Sequence, residues 1–273
     1  MKLPLYWIDA FTDRVFAGNP AAVVPLPSWP ADALLQKIAY ENGVSETAFF
    51  VRTGPARCHL RWFTPAVEVD LCGHATLASG HVLFRELGED GDRVTFDSRS
   101  GPLSVRRRSD GKLELDFPAR PATPAAAPAA LLAGLRRPPA EVRCSERMWL
   151  CVYSETGDVQ SLQPDDAELA RLSPGRIIVT APGQDCDFVS RFFAPDAGIA
   201  EDPVTGSAHC TLMPYWAGRL GRNTLHARQV SRRGGELWCE YVPAAPAAGP
   251  HRAAGRVRIA GDTVLYLRGE LQA

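Results

Sequence analysis

LRWFTPAVEVDLCGHATLASG, residues 60–80, is repeated in altered form as VSRFFAPDAGIAEDPVTGSAHCTL, residues 189–212. Both copies contain Arg-x-Phe-x-Pro and then reach a glycine, Gly73 or Gly206, that begins a helical pattern; the second copy has three extra residues before its glycine. Further on, SRSGPLSV (98–105) matches RRGGELWC (232–239) at nearly the same spacing. We therefore expect two pseudo-symmetric halves of α/β (α+β) class, each a curved, mostly antiparallel sheet or barrel around a central helix.

The segments around these copies are rich in strand patterns. Short β-branched or alternating apolar runs separated by Gly, Asp or Pro predict strands at residues 21–26, 46–51, 58–63, 93–97, 102–107, 112–117, 176–181, 187–193, 236–242, 256–261 and 263–269. Asp110-Gly111 predicts a hairpin turn. Apolar spacing near 3.6 residues, or a preceding glycine, predicts helices over 31–42, 74–87 and 207–220.

One composition break divides the chain. Residues 118–140 are mostly Pro and Ala, which disfavours continuous helix or central strand, although residues 129–137 can form a short helix. We expect a linker here, between an N-terminal half at 1–117 and a C-terminal half at 141–273, and the final strand of the chain can join the N-terminal half.

The overall composition excludes several classes of protein. The net charge of -1 gives no reason to expect nucleic acid or an anionic membrane as partner, and no apolar run is long enough for a membrane span. The first residues show no signal peptide. Seven scattered cysteines without a CxxC pair argue against a disulfide framework and fit the cytoplasm. Six dispersed histidines without HxH or HExxH indicate no metal.

The two glycine-started helices are candidate binding elements. Free first-turn N–H groups and the helix dipole attract anions, so Gly73-His74-Ala75 and Gly206-Ser207-Ala208 would suit a small carboxylate substrate if the halves face one another across a cleft. The alternative is that these glycines only permit close packing of helix on sheet.

Three polar residues stand near predicted loop–strand boundaries. Glu46, in GVSETAFFV (43–51), is either a catalytic carboxylate or a surface residue. Asp202, in AEDPVTGSA (200–208), either caps the next helix or shares protons with Glu46. Asn19, in FAGNPAAVV (16–24), either belongs to a simple turn or orients a substrate. In LCGHATL (71–77), Cys72 and His74 could be a nucleophile with its base, two metal ligands, or neither.

The ordered set FAGNPAAVV, SETAFF, FTPAVEVDLCGHATLA, RFFAPDAGIAEDPVTGSAHCTLMPYW and QVSRRGGEL resembles the PhzF-like (phenazine biosynthesis-like) isomerase family over nearly the whole chain. The resemblance implies the diaminopimelate-epimerase fold, a biosynthetic isomerase without cofactor, and a homodimer. It places Glu46 at the catalytic acid/base position. It also places His74, Asp202 and Ser207 along the pocket, and Gly73 and Gly206 at the helix starts.

The same resemblance bears on Cys72. Related amino-acid epimerases use two thiols, one beside each glycine-started helix. Here Cys72 takes the first position, and we assign the second to Pro203, which would disable two-thiol chemistry. The favoured function is therefore isomerisation of a small unsaturated or cyclic carboxylic acid by Glu46. Two alternatives stay open: an amino- or imino-acid epimerase using Cys72, and a non-catalytic carboxylate-binding protein. A metal hydrolase is weaker than either.

Overall fold

The computed structural model describes residues 2–244 and 255–273. The chain forms two compact units: unit 1 comprises Met1–Asp116 with Ala260–Ala273, and unit 2 comprises Phe117–Ile259. None of the helices in the described residues is both long and apolar enough to cross a membrane.

Strands make up most of both units. In chain order they are β1 (Lys2–Ala10), β2 (Asn19–Leu26), β3 (Glu46–Gly54), β4 (Arg57–Phe63), β5 (Glu68–Val69), β6 (Arg93–Asp97), β7 (Leu103–Arg107), β8 (Leu113–Pro118), β9 (Thr123–Pro124), β10 (Glu141–Cys144), β11 (Trp149–Val152), β12 (Ile177–Pro182), β13 (Phe188–Ala194), β14 (Ile199–Asp202), β15 (Thr224–Gln229), β16 (Gly235–Val242), β17 (Arg256–Gly261) and β18 (Thr263–Gln272). The helices are α1 (Asp32–Asn42), α2 (Gly73–His81), α3 (Ala129–Leu135), α4 (Thr156–Ser161), α5 (Asp166–Leu169) and α6 (Gly206–Leu220). The chain continues from α2 as a wider π-helical turn over Val82–Glu86.

Unit 1 is a mostly antiparallel sheet. β1 pairs antiparallel with β2 and with β18, and the pairs β3–β4, β4–β5, β6–β7 and β7–β8 are also antiparallel. Two pairs are parallel, β2–β3 across α1 and β4–β6 across α2. All residues of α2 after its first are buried, so this helix lies at the centre of the unit.

Unit 2 repeats this order of pairing. β10–β11, β12–β13, β13–β14 and β15–β16 are antiparallel, whereas β11–β12 and β13–β15 are parallel. α6, the second glycine-started helix, lies in the crossover from β14 to β15, as α2 does between β5 and β6. The predicted duplication and the predicted class, a mostly antiparallel sheet around a central helix, are confirmed.

The Pro/Ala-rich segment is not the free linker that its composition predicts. Within 118–140, β9 pairs with β10, and α3 contributes Leu131 and Leu135 to the apolar core of unit 2. Two buried leucines are enough to anchor this short helix, because each fully buried Leu contributes about 1.5–3 kcal/mol. The segment therefore belongs to unit 2.

The repeated Arg-x-Phe pattern forms the same ion pair in both units. Arg61 donates two hydrogen bonds to Glu68 at 2.7 and 2.8 Å, and Arg191 donates two to Glu201 at 2.7 and 2.9 Å. Each guanidinium also stands over the phenylalanine two residues further on, at 5.1 and 5.0 Å. A fork-shaped cation held by a carboxylate and an aromatic face fixes the end of each strand, which gives this part of the repeat a structural role.

Candidate active site

In unit 1, three of the polar residues singled out from the sequence meet at one edge of the sheet. β2 and β3 run parallel and are paired from Ala21 and Glu46, so Asn19, two residues before Ala21, stands near the start of β3. His74, in the first turn of α2, lies against both strands: its Nε2 is 3.2 Å from Glu46 Oε2, and its Nδ1 is 3.1 Å from Asn19 Nδ2. Asn19, Glu46 and His74 therefore form one cluster.

The imidazole of His74 holds a proton toward Glu46. Burial opposes protonation of this ring, but the neighbouring Cys72 and Glu46 outweigh it, so the pKa of His74 lies well above its ordinary value of 6.5. The protonated ring carries an N–H on both nitrogens. In the neutral ring, Nδ1 accepts a hydrogen bond from Asn19, so the N–H is again on Nε2. The contact with Glu46 is an ion pair rather than an aligned hydrogen bond: within the described residues, Glu46 Oε2 meets no donor in hydrogen-bond geometry.

Cys72 is the residue immediately before α2, and it is a thiol at neutral pH. Burial and the Glu46 carboxylate raise its pKa from 9.0 to about 11. Its Sγ lies 3.5 Å from His74 Nδ1, so the thiol is close to the imidazole but is not ionised by it. A protonated thiol is a poor nucleophile and a poor base.

The same cluster contains potential metal ligands. Glu46, Cys72 and His74 each offer one ligand atom, and these atoms lie within 4.8 Å of one another. Imidazole, thiolate and carboxylate together suit zinc. A metal would have to displace the protons of both Cys72 and His74, so its affinity would rise with pH. The expectation of no metal stays a prediction, which metal analysis of the purified protein can test.

In unit 2, the second glycine-started helix has its own polar group. Asp202 ends β14 and is largely buried, and its Oδ2 accepts a hydrogen bond from Thr205 Oγ1. Gln229, the last residue of β15, accepts from Thr205 N at 2.9 Å and donates to the carbonyl oxygen of Asp202 at 2.7 Å. Gly206 begins α6 as predicted, and Ser207 follows in its first turn, half-buried.

Sequence reasoning missed Thr205 and Gln229. Thr205 stands between Asp202 and Gly206 and has no distinctive neighbours in the sequence. Gln229 opens the QVSRRGGEL motif, which supported the family resemblance without receiving a role. The only signal available for Gln229 was its position in this motif, which follows the helix that begins at Gly206.

The structural counterpart of Cys72 is Thr205, and the assignment of Pro203 to that position is wrong. Cys72 and Thr205 each directly precede their helix in extended conformation, with φ of -141° and -112°. The carbonyl of each is bonded by the side chain four residues later, from Thr76 at 2.5 Å and from His209 at 3.0 Å. Because the equivalent arginines bond Glu68 and Glu201, the three extra residues lie before Glu201, and the register from there to Gly206 is intact.

Comparison with known proteins agrees with this architecture. The family model for phenazine biosynthesis-like proteins matches residues 8–269. The chain belongs to the phenazine biosynthesis-like family. A protein from Pseudomonas aeruginosa that is named an uncharacterised isomerase is 50% identical over 272 residues, covering 100% of this chain and 99% of the relative. Together with the family, such relatives identify the protein as an isomerase.

Solved structures extend the comparison. A phenazine biosynthesis-like (PhzF family) protein from Enterococcus faecalis has a TM-score of 0.91 at 42% identity, with 100% of both chains covered. A hydroxyproline epimerase from Agrobacterium vitis has a TM-score of 0.64 at 10% identity, with 99% of this chain and 92% of that chain covered. The second likeness concerns the fold alone, and it links the phenazine biosynthesis-like fold to the epimerase fold.

Proposed function

We propose that this isomerase moves a proton within a small unsaturated or cyclic carboxylic acid, with Glu46 as the general acid and base. The observation that supports it is the carboxylate of Glu46: its side chain is only 13% exposed, it lies 3.2 Å from the imidazole of His74, and its Oε2 meets no donor in hydrogen-bond geometry in the described residues. Such an oxygen is available to take a proton from a substrate carbon.

The proton shift needs one carboxylate. Glu46 takes a proton from one C–H group, the bonding pair moves into the conjugated system, and the double bond shifts. The carboxylic acid of Glu46 then returns the proton to another carbon, which restores the starting form of the enzyme. The imidazole of His74, whose Nε2 lies 3.2 Å from Glu46 Oε2, would hold the Glu46 side chain in place between turnovers.

The substrate carboxylate would bind at the helix starts. The candidates are the backbone groups of Gly73 and Ala75 in unit 1 and, considered separately, those of Gly206 and Ser207 in unit 2, because the first N–H groups of a helix have no partner within it. Asn19 and Asp202 would orient the substrate or assist proton transfer. We expect the reaction to need no cofactor, which full activity after exhaustive dialysis against chelator would support. We expect a homodimer, which light scattering of the purified protein would test.

The test compares two variants of the same cluster. Unsaturated cyclic carboxylic acids are incubated in deuterium oxide with the wild type, and deuterium entry is followed by NMR. Glu46→Gln should slow exchange by about 10²–10⁴-fold while the protein stays folded, because the amide cannot take up a proton. Cys72→Ser should keep most of the activity.

The opposite pattern would support the epimerase alternative, for which the 3.5 Å approach of Cys72 Sγ to His74 is the favourable observation. In that case Cys72→Ser would be the inactive variant, and deuterium would enter at an α-carbon. A wild type that binds carboxylates without turnover on the whole panel would instead support a non-catalytic binding protein.

A further inference from the structure

Gln229 occupies an unusual place for an amide side chain. It is 1% exposed at the end of β15, and both ends of its amide are used. Oε1 accepts from the backbone N–H of Thr205 at 2.9 Å, and Nε2 donates to the backbone carbonyl of Asp202 at 2.7 Å. One partner can only donate and the other can only accept, so the orientation of the amide is fixed.

This fixed amide also sets the direction of a hydroxyl. Nε2 of Gln229 donates to Thr205 Oγ1 at 3.2 Å. The single proton of that hydroxyl is then directed to Asp202 Oδ2, with which Thr205 forms a hydrogen bond. The three side chains form a chain of hydrogen bonds that ends on the carboxylate of Asp202 in its acceptor form.

A second contact from the same motif holds the backbone and has a counterpart in unit 1. Ser231 Oγ donates to the carbonyl of Pro203 at 2.7 Å, and in unit 1 Ser100 Oγ donates to the carbonyl of Asp70 at 2.8 Å. Pro203 and Asp70 each stand three residues before the helix glycine. A hydrogen bond from a serine to the backbone before the helix is thus present in both units. The bonds of Gln229 are an addition in unit 2, where they align Asp202.

We infer that Gln229 is a positioning residue that aligns the carboxylate of Asp202 through the hydroxyl of Thr205. The inference rests on the proposed function, in which Asp202 acts on the substrate. Gln229 itself need not touch the substrate, because its amide is used by Asp202 and Thr205. A residue in this role affects turnover more than substrate affinity.

The experiment uses two variants of Gln229 with a matched control. Gln229→Glu keeps the shape but replaces the donor with an oxygen that faces the carbonyl of Asp202, and Gln229→Met removes all three bonds. Gln160→Glu makes the same change at an exposed position of α4. We expect kcat for deuterium exchange to fall by about tenfold or more in both Gln229 variants, with KM within about twofold and Gln160→Glu unchanged.

A second readout needs no substrate. Amide hydrogen exchange at Thr205, followed by NMR, should accelerate about tenfold in Gln229→Met, because the amide loses its acceptor. The Thr76 amide, bonded to the carbonyl of Cys72 at 3.3 Å in unit 1, should exchange as in the wild type. An unchanged exchange rate of the Thr205 amide in Gln229→Met would overturn the inference. A wild-type kcat in the same variant would overturn it as well.

Thr205 provides the check if the Gln229 variants do not fold. Thr205→Ser keeps the hydroxyl and should retain kcat, whereas Thr205→Val should lose about tenfold. Equal kcat in these two variants would overturn the inference. If the wild type turns over none of the carboxylic acids tested, the proposed function fails. The hydrogen-exchange rate of the Thr205 amide then decides alone whether Gln229 holds the backbone between Asp202 and Thr205.

Discussion

Cys72 illustrates how one neighbour changes the chemistry of a side chain. Burial and the carboxylate of Glu46 raise the pKa of this thiol to about 11, so only a small fraction is thiolate at pH 7.5. We expect iodoacetamide to modify Cys72 in the folded protein roughly 100-fold more slowly than in the urea-unfolded protein. Peptide mapping by mass spectrometry measures both rates.

The Glu46→Gln variant gives the internal control for that measurement. Removing the carboxylate removes one cause of the raised pKa, so alkylation of Cys72 should be faster than in the wild type. Wild-type Cys72 that reacts as quickly as an unfolded thiol would contradict the raised pKa and favour the epimerase alternative.

His74 makes stability depend on pH with a definite sign. Its pKa in the folded protein lies well above the ordinary 6.5, so the stabilisation from its protonated form is complete below pH 6.5 and is lost as the pH rises through the folded value. We expect the free energy of unfolding of the wild type to exceed that of His74→Asn most at pH 6, and the difference to shrink toward pH 9. Urea unfolding at several pH values tests this, and a difference that grows with pH would contradict it.

At the scale of elements, two arginines of strand β4 should differ strongly in their contribution to stability. Arg61 has a side chain 12% exposed and is paired with Glu68, also 12% exposed, whereas Arg57 is 54% exposed and paired with Asp97. Arg61→Ala should lower the free energy of unfolding by about 2 kcal/mol, because a largely buried carboxylate loses both hydrogen bonds from Arg61 and keeps only its ion pair with Arg99. Arg57→Ala should cost less than about 1 kcal/mol. Chemical denaturation measures both, and equal losses would refute a structural role for the repeated ion pair.

The central helix of unit 1 lies so close to the sheet that one glycine has no room for a side chain. A Cβ on Gly80 in α2 would stand 2.6 Å from Val105 Cγ1, whereas a Cβ on the exposed Gly218 in α6 would meet nothing within 4 Å. Gly80→Ala should destabilise by about 1–3 kcal/mol through overpacking. Gly218→Ala should stabilise by up to about 1 kcal/mol, since Ala is the better helix former. Thermal unfolding of both variants checks the sign of each change.

The elements that could be predicted from sequence are those with a local signal. Gly73 and Gly206 begin helices as expected, and Asp110-Gly111 joins β7 to β8, because glycine marks these positions locally. Strand β1 was not predicted, because its stability comes from tertiary pairing. A short helix was allowed at 129–137, but its two buried leucines in the core of unit 2 were not expected in a Pro/Ala-rich segment. A local sequence pattern therefore shows where an element begins or ends better than it shows which residues become buried.

The candidate site was predictable to a similar degree. Asn19, Glu46 and His74 were singled out separately, and the parallel pairing of β2 with β3 brings them together. Gln229 could not be given a role, because its partners lie in a loop separated from it by the whole of α6. Side-chain to backbone bonds across such a distance leave no spacing pattern in a single sequence.

At the scale of the whole molecule, β18 belongs to unit 1 although it follows the whole of unit 2 in the sequence. β18 pairs with β1 along nearly its whole length, and Thr263 Oγ1 lies 2.8 Å from His81 Nδ1 on the central helix. Removing residues 263–273 should abolish cooperative unfolding of unit 1, because β1 loses one of its two partners. Removing only Gln272 and Ala273 should have little effect. Hydrogen exchange in β1 reports the difference, and a β1 that stays protected in the longer deletion would contradict the expectation.

This order of connection has a consequence during synthesis. Residues 2–116 are synthesised before residues 263–273, so their sheet lacks β18 until those later residues leave the exit tunnel. Throughout that interval the free edge of β1 is exposed to other nascent chains and to chaperones. Unit 2, contained in residues 117–259, is fully synthesised before unit 1 can close. Unit 1 can therefore complete its fold only after the whole of unit 2 has been synthesised.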